Sequence, residues 1–259
     1  MGSPASVRYG PRPAPSDAQR LRAERGVRTG TRRVLLALFA STLLPATLPG
    51  TPSLETVLAN MDAAASAWKG MRANVTWERY RSLVDDRAAE SGRIAVRRLK
   101  SGGVEMLIEF VEPSHYFFSV RQAKVEIYKP RIKTVEHYDA SKSREKLENA
   151  LLLGFGTAGS YLRQHYEIEL LGADPVAGHA AVRLDLQPKD PRGELNNTRI
   201  EMWISTTHWQ PVSQKVYDRH TRDYRTYSYA DMEVSPSFRS DEFKMSLAPG
   251  TKHTRPQLQ

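Results

Sequence analysis

Histidine is the first residue type to weigh for chemistry, and this chain has seven: His115, His137, His165, His179, His208, His220 and His253. No two stand at the H-x-H or H-x-x-x-H spacing that would place two imidazoles on one face to share a metal, so no metal site is expected. Cysteine is absent. That excludes disulfides, thiolate metal sites, a cysteine nucleophile and the lipid-bearing cysteine of a bacterial lipoprotein. No G-x-S-x-G elbow, P-loop or dinucleotide fingerprint occurs, so no cofactor is expected either. The glycines of Gly154-Phe-Gly-Thr-Ala-Gly159 lack the strand before and helix after that a phosphate loop needs. Asp185 and Glu201 are candidate paired carboxylates whose separation the sequence does not fix. An enzyme here would need a site assembled only in space.

The stronger signal is a row of apolar side chains in residues 92–138. Val104, Met106, Ile108 and Phe110 alternate with Glu105, Leu107, Glu109 and Val111, the period of two that sends one row to each face of a strand. Ile94, Val96 and Arg98 alternate likewise with Arg93, Ala95 and Arg97, as do Ala123, Val125 and Ile127 with Lys124, Glu126 and Tyr128. These are consecutive antiparallel strands of one sheet. On its apolar face Val96, Met106, Ile108, Phe110 and Phe118, joined by Trp203 from a later strand, make either a packed core or the wall of a ligand cavity. Arg98 shares that parity. It is either a strand-end side chain whose stem reaches to water, or a guanidinium that must donate to carbonyls or to a ligand head group.

These rows need elements to position them. Ser53 is placed to cap a helix running to about Lys69, with Leu54, Val57, Leu58, Met61, Ala65 and Trp68 at helical spacing and Gly70 ending it. Strands are expected over 73–84, with Val75 and Trp77 on one face and Thr76 and Glu78 on the other, and over 92–99, 104–111, 123–128 and 132–138, with Ser101-Gly102-Gly103 as a hairpin turn; Pro113 breaks the connection after 111, and the cluster Tyr116, Phe117, Phe118 leads into the strand at 123–128. From Ala140 the period lengthens to about 3.6. Ser141 or Ser143 can cap a helix carrying Leu147, Ala150 and Leu151 towards Leu153, and a second short helix fits 158–163. Strands resume over 166–171, 180–187, 198–205, 211–218, 222–230 and 241–245. Around ten short strands with two helical segments predict a mainly β (α+β) domain over 51–259: a curved antiparallel sheet or barrel whose mouth or face the helices cover.

Charge and the N-terminal region narrow the partners. Residues 1–50 hold eight Arg against Asp17 and Glu24, which is +6 of the net +9, so the remainder is nearly balanced and no nucleic-acid footprint is expected. Residues 1–33 read as a basic leader or n-region, and Thr31-Arg32-Arg33 faintly matches a twin-arginine signal. Residues 34–50 read as a signal-peptide segment. The apolar run 34–48 is shorter than the roughly 20 residues of a membrane span, and Pro45 interrupts it. Export follows, with an uncleaved anchor as the alternative.

Four short stretches then resemble a known family, the LolA and LolB carriers of outer-membrane lipoproteins, over about residues 53–252. Gly92-Arg-Ile-Ala-Val-Arg-Arg-Leu99 resembles that family's strand ending in Lys-Arg-Pro, with Leu99 in place of its Pro. Lys124-Val-Glu-Ile-Tyr-Lys-Pro130 resembles its strand ending in an aromatic, a polar residue and Pro. Leu184-Asp-Leu-Gln-Pro-Lys189 is similar to its Leu-x-Pro-Lys segment, and Phe243-Lys-Met-Ser-Leu-Ala-Pro-Gly250 to its C-terminal Phe-x-Phe with a following Pro and Gly. The resemblance implies an unclosed β-barrel capped by helices, with a lipid-binding interior walled by positions such as Met106, Ile108 and Phe110. It implies that Arg98 latches the helical lid. It also implies a monomeric periplasmic carrier of lipoprotein acyl chains or phospholipid, meeting an inner-membrane donor and an outer-membrane acceptor. A lipid-sensing or protein-binding regulatory domain of the same fold is the alternative, and an enzyme the second alternative.

Overall fold

The computed structural model describes residues 50–101, 103–122, 124–143, 153, 155–190 and 197–256. All belong to one compact unit, residues 48–259. The basic leader and nearly all of the apolar segment, like the expected helix over 144–152, lie outside the described residues.

Helix α1 spans Leu54–Ala67, and Ser53 caps it, its Oγ accepting from the Thr56 backbone N–H at 3.2 Å. Its apolar stripe, Val57, Leu58, Met61 and Ala65, is buried. The helix ends through extended Trp68. Gly70, expected to stop it, instead opens the first strand, where a Cβ would lie 2.4 Å from the Val96 carbonyl oxygen.

Twelve strands form one sheet: β1 (Gly70–Arg81), β2 (Asp86–Arg98), β3 (Val104–Glu112), β4 (Tyr116–Arg121), β5 (Lys124–Lys129), β6 (Thr134–Asp139), β7 (Tyr166–Ala173), β8 (Ala181–Pro188), β9 (Asn197–Ser205), β10 (Pro211–Asp218), β11 (Tyr224–Val234) and β12 (Lys252–Thr254). Their order is β12-β6-β5-β4-β3-β2-β1-β11-β10-β9-β8-β7, with β12 and β7 at open edges. The sheet is therefore unclosed. Every pairing is antiparallel except β12 on β6.

Three expectations need correction. Tyr116, Phe117 and Phe118 are themselves strand β4, not a lead into the next one: Phe117 faces Glu109 and Phe118 faces Ile108 across the ladder. The strand expected over 241–245 does not form. Phe243 is buried there, with the Arg97 guanidinium 4.5 Å over its ring, while the terminal strand is β12. The expected helix over 158–163 is α2, Gly159–His165, displaced by one residue at its start and two at its end.

Helices α1 and α2 lie on one face, here the inner face. Val57, Leu58 and Met61 pack with Leu162 on Leu184 and Leu186 of β8 and Ile200, Met202 and Ile204 of β9. The helices approach closely because α2 begins with glycine: a Cβ on Gly159 would lie 2.2 Å from the Leu58 carbonyl oxygen. Asp62 of α1 accepts from the Ser160 backbone N–H at 2.9 Å and from its hydroxyl at 2.7 Å. The outer face is ionic, and the segment after β11 is strapped to it. Arg72 of β1 bonds both carboxylate oxygens of Glu242 and donates to the Ser237 carbonyl at 2.6 Å.

Gly159→Ala should destabilise the protein by about 2 kcal/mol in denaturant unfolding, since the added methyl must push two backbones apart. An unchanged midpoint would refute this account of the helix contact. The Arg72 bond holds the Glu242 carboxyl below the usual carboxylate range, against the opposing effect of burial. Its stabilisation is thus complete above the unfolded glutamate pKa of about 4.3 and lost as pH falls through the lower folded value. Glu242→Gln should lower stability at pH 7, with the deficit vanishing in acid, as measured by urea unfolding at several pH values.

Candidate functional site

Among the described residues, helices α1 and α2 pack on the β7–β9 part of the inner face. Over the other part lies a cavity of about 510 Å³. Val75 and Trp77 of β1, Ile94 of β2, and Met106, Ile108 and Phe110 of β3 form its floor. Tyr116 and Phe118 of β4 and Ile127 of β5 continue the wall on one side, Gln214, Val216, Arg225, Tyr227 and Tyr229 of β10 and β11 on the other. Leu153 and Phe155, from the segment before α2, close the end nearest the helices. The lining is apolar because alternation stacks one row per strand: Ile94 faces Ile108, and Ile108 faces Phe118. Aromatic contacts stiffen it. Trp77 stacks on Tyr227 at 6.4 Å between centroids, Phe110 on Tyr116 at 4.8 Å, and Phe155 tilts against Tyr229 at 4.9 Å.

The polar groups of the lining are few. Tyr116 donates to Glu90, and burial, reinforced by that carboxylate, pushes its hydroxyl pKa up. Burial likewise raises Tyr227 and Tyr229. These phenols stay neutral, serving as hydrogen-bonding groups rather than bases. Among the described residues the lining contains no carboxylate, histidine or serine, so it holds no general base or nucleophile pair.

Of the residues expected at the wall, Met106, Ile108, Phe110 and Phe118 line the cavity. Val96 lies on the same face but is fully buried, clustered with Trp68 and Met71 where α1 passes into β1. Trp203 is on the opposite face. It pairs with Arg183 and Ser213, while Met202 takes the inner position opposite Leu184 and Gln214. Its indole N–H donates to Asp174 at 2.9 Å, and the Arg183 guanidinium lies 5.7 Å from its ring. Bulk suggested a wall residue; parity against Ile200, Met202 and Ile204 decides otherwise.

Arg98, at the exposed end of β2, donates to the carbonyl of Ala65 in the last turn of α1 at 3.3 Å, with its guanidinium 5.3 Å over the Trp68 ring. Asp185 and Glu201 stand directly opposite on the outer face, both bound by Arg199 at 2.7 and 2.8 Å. Both share one arginine on the outer face, away from the cavity lining. The glycine run has a packing role: a Cβ on Gly156 would meet the Trp68 ring at 2.7 Å, and the Gly156 backbone N–H donates to Gln210 at 2.9 Å. The alternation that placed Val75 and Trp77 also runs through Arg225, Tyr227 and Tyr229. Only the β1–β11 pairing shows that the two rows share a face.

One family model, described as an uncharacterized protein, matches residues 102–249. No curated protein sequence matches the chain. Among solved structures, the chain is similar to a MucA/MucB complex of Pseudomonas aeruginosa, with 14% identity, 74% of this chain and 61% of that one covered, and a TM-score of 0.46. It is similar to a LolA superfamily protein of Nitrosomonas europaea, with 9% identity, 75% and 98% covered, and a TM-score of 0.35. A third is LprF of Mycobacterium bovis, with 14% identity, 75% and 100% covered, and a TM-score of 0.46. The chain spans about three fifths of the first of these structures.

Proposed function

We propose that the chain, which belongs to the family matched over residues 102–249, is an exported binder and carrier of acyl chains rather than an enzyme. The observation that carries this reading is the cavity, an apolar space within the usual ligand-pocket range of about 300–1,000 Å³. Ile108, Phe118 and Ile127 remain partly exposed in it. Export to the periplasm rests on the Arg-rich sequence before the apolar run 34–48. Among the described residues no helix is long and apolar enough to cross a membrane. The cargo is an acylated molecule, a lipoprotein or phospholipid, passed from an inner-membrane donor to an outer-membrane acceptor by the protein as a monomer.

A carrier must also let go. Each buried methylene is worth about 0.8 kcal/mol, so a cavity that realised this for a whole chain would hold it too tightly for transfer. A half-covered groove realises part of it. In this reading Arg98 latches α1 through the Ala65 carbonyl, a bond worth about 1 kcal/mol net, weak enough to break during loading and release.

Protein purified from the periplasm should carry acylated peptide or phospholipid near one to one in native mass spectrometry, and delipidated protein should take up a fatty-acid probe. Ile108→Glu, at a partly exposed wall position, should weaken that uptake at least about 10-fold, because a chain would have to desolvate the carboxylate. A clean apo mass with no probe uptake would overturn the reading and leave partner binding as the better one. Arg98→Leu should cost no more than about 1 kcal/mol of stability yet speed probe release. An unchanged release rate in stopped-flow displacement would remove the latch.

A further inference from the structure

The inner face carries two arginines where the cavity opens. Arg79 of β1 and Arg225 of β11 are directly opposite in the antiparallel register, two pairs beyond Trp77 and Tyr227 and so on the same face. Alternation puts both on the cavity's side, and Arg225 lines it together with Val216. Arg79, Arg225 and Val216 also line an adjoining recess of about 330 Å³. The apolar space thus runs into a charged recess that holds Arg79 and Arg225, with Arg81, Asp218 and Asp223 also in its lining.

Neither arginine is held in an ion pair. On the outer face Arg72, Arg93, Arg97 and Arg199 each have a carboxylate oxygen within 3.0 Å. Among the described residues Arg79 and Arg225 form no ion pair, and the Arg79 Nε is out of water with no acceptor. The two carboxylates lining the recess stay ionised, held so by donors other than these arginines. Asp218 accepts from the His220 and Thr221 backbone N–H groups at 2.8 and 2.9 Å, and Asp223 from the Ser82 N–H and hydroxyl, both at 2.8 Å.

Like charges directly across a strand pair are destabilising, and a desolvated guanidinium N–H without an acceptor adds to that cost. A bound oxyanion removes both at once, and two guanidinium forks suit the oxygens of a phosphate. We propose that Arg79 and Arg225 seat the phosphate head group of an acylated amphiphile whose chain lies in the cavity, which rests on the acyl-chain reading above. The ligand is thereby narrowed to an anionic amphiphile, held by its head at the mouth and its tail along β3.

Calorimetric titration of the delipidated protein with dodecyl phosphate, the neutral dodecyl maltoside and inorganic phosphate tests this. The wild type should bind dodecyl phosphate at least about 10-fold tighter than the maltoside, at least one charge-assisted contact being at stake. The Arg79→Gln/Arg225→Gln protein should lose that preference while keeping its affinity for the maltoside. Its thermal midpoint without ligand should equal or exceed the wild type's, since the repulsion is gone. Equal wild-type affinity for the two amphiphiles, or a preference that survives the double substitution, would overturn the seat and leave the cavity reading intact. Inorganic phosphate binding as tightly as dodecyl phosphate would show a free-phosphate site instead. No binding of either amphiphile would sink the acyl-chain reading itself, and the head-group seat with it.

Discussion

Coverage of the inner face is the constraint on which the rest of the molecule depends. The α1 helix has 14 residues and so extends about 21 Å, whereas twelve strands side by side present roughly 50 Å of sheet. One short helix and its α2 neighbour can bury the apolar rows of β8 and β9 at full depth, with Leu184, Leu186, Met202 and Ile204 sealed from water and the row of β7 partly covered. Among the described residues the rows of β3, β4 and β5 receive no helix of this kind. Curling the sheet brings those rows near β10 and β11 but does not close it. Among the described residues, the cavity is the apolar area that these two helices leave uncovered.

Much of this was legible in the chain. Period-two alternation placed Met106, Ile108 and Phe110 on one face, and helical spacing after Ser53 placed the stripe of α1, because both signals are local. Non-local choices were not legible. Tyr116-Phe117-Phe118 looked like a connector because Pro113 precedes it and no polar residue alternates, yet ladder pairing with β3 makes it a strand. Trp203 looked like wall by size, but a one-residue difference in parity sends a side chain to the other face. β12 has three residues and pairs in parallel with β6, some 118 positions away, so no local pattern announces it. The glycines at Gly156 and Gly159 are explained by what they approach, Trp68 and Leu58, which only the folded chain brings near.

The two faces divide the electrostatic work. Outer-face charges are matched: Arg199 between Asp185 and Glu201, Arg97 on Glu105, and Arg72 on Glu233 and Glu242. Such pairs, partly wet, add little to stability and chiefly fix what lies against them. Arg72 and Arg97 fix the segment after β11, through Glu242, Phe238 and Phe243. On the inner face Arg79 and Arg225 stand at the mouth without an ion-pair partner among the described residues. The same residue type is structural on one side and available for recognition on the other.

The strand order also bears on how the chain reaches this state. β1 to β6 form one meander of sequence neighbours, β7 to β11 another, and β1 on β11 joins them through pairs such as Met71 with Val234. Hairpins within each meander close short loops, while the joint must bring together segments some 160 residues apart, the kind of contact that forms slowly. Trp77 and Tyr227 stack across that joint. A chain that has zipped both meanders but not the seam therefore holds two half-walls and no cavity, exposing apolar rows that either close on each other or aggregate. The late event in folding and the making of the cavity are one contact.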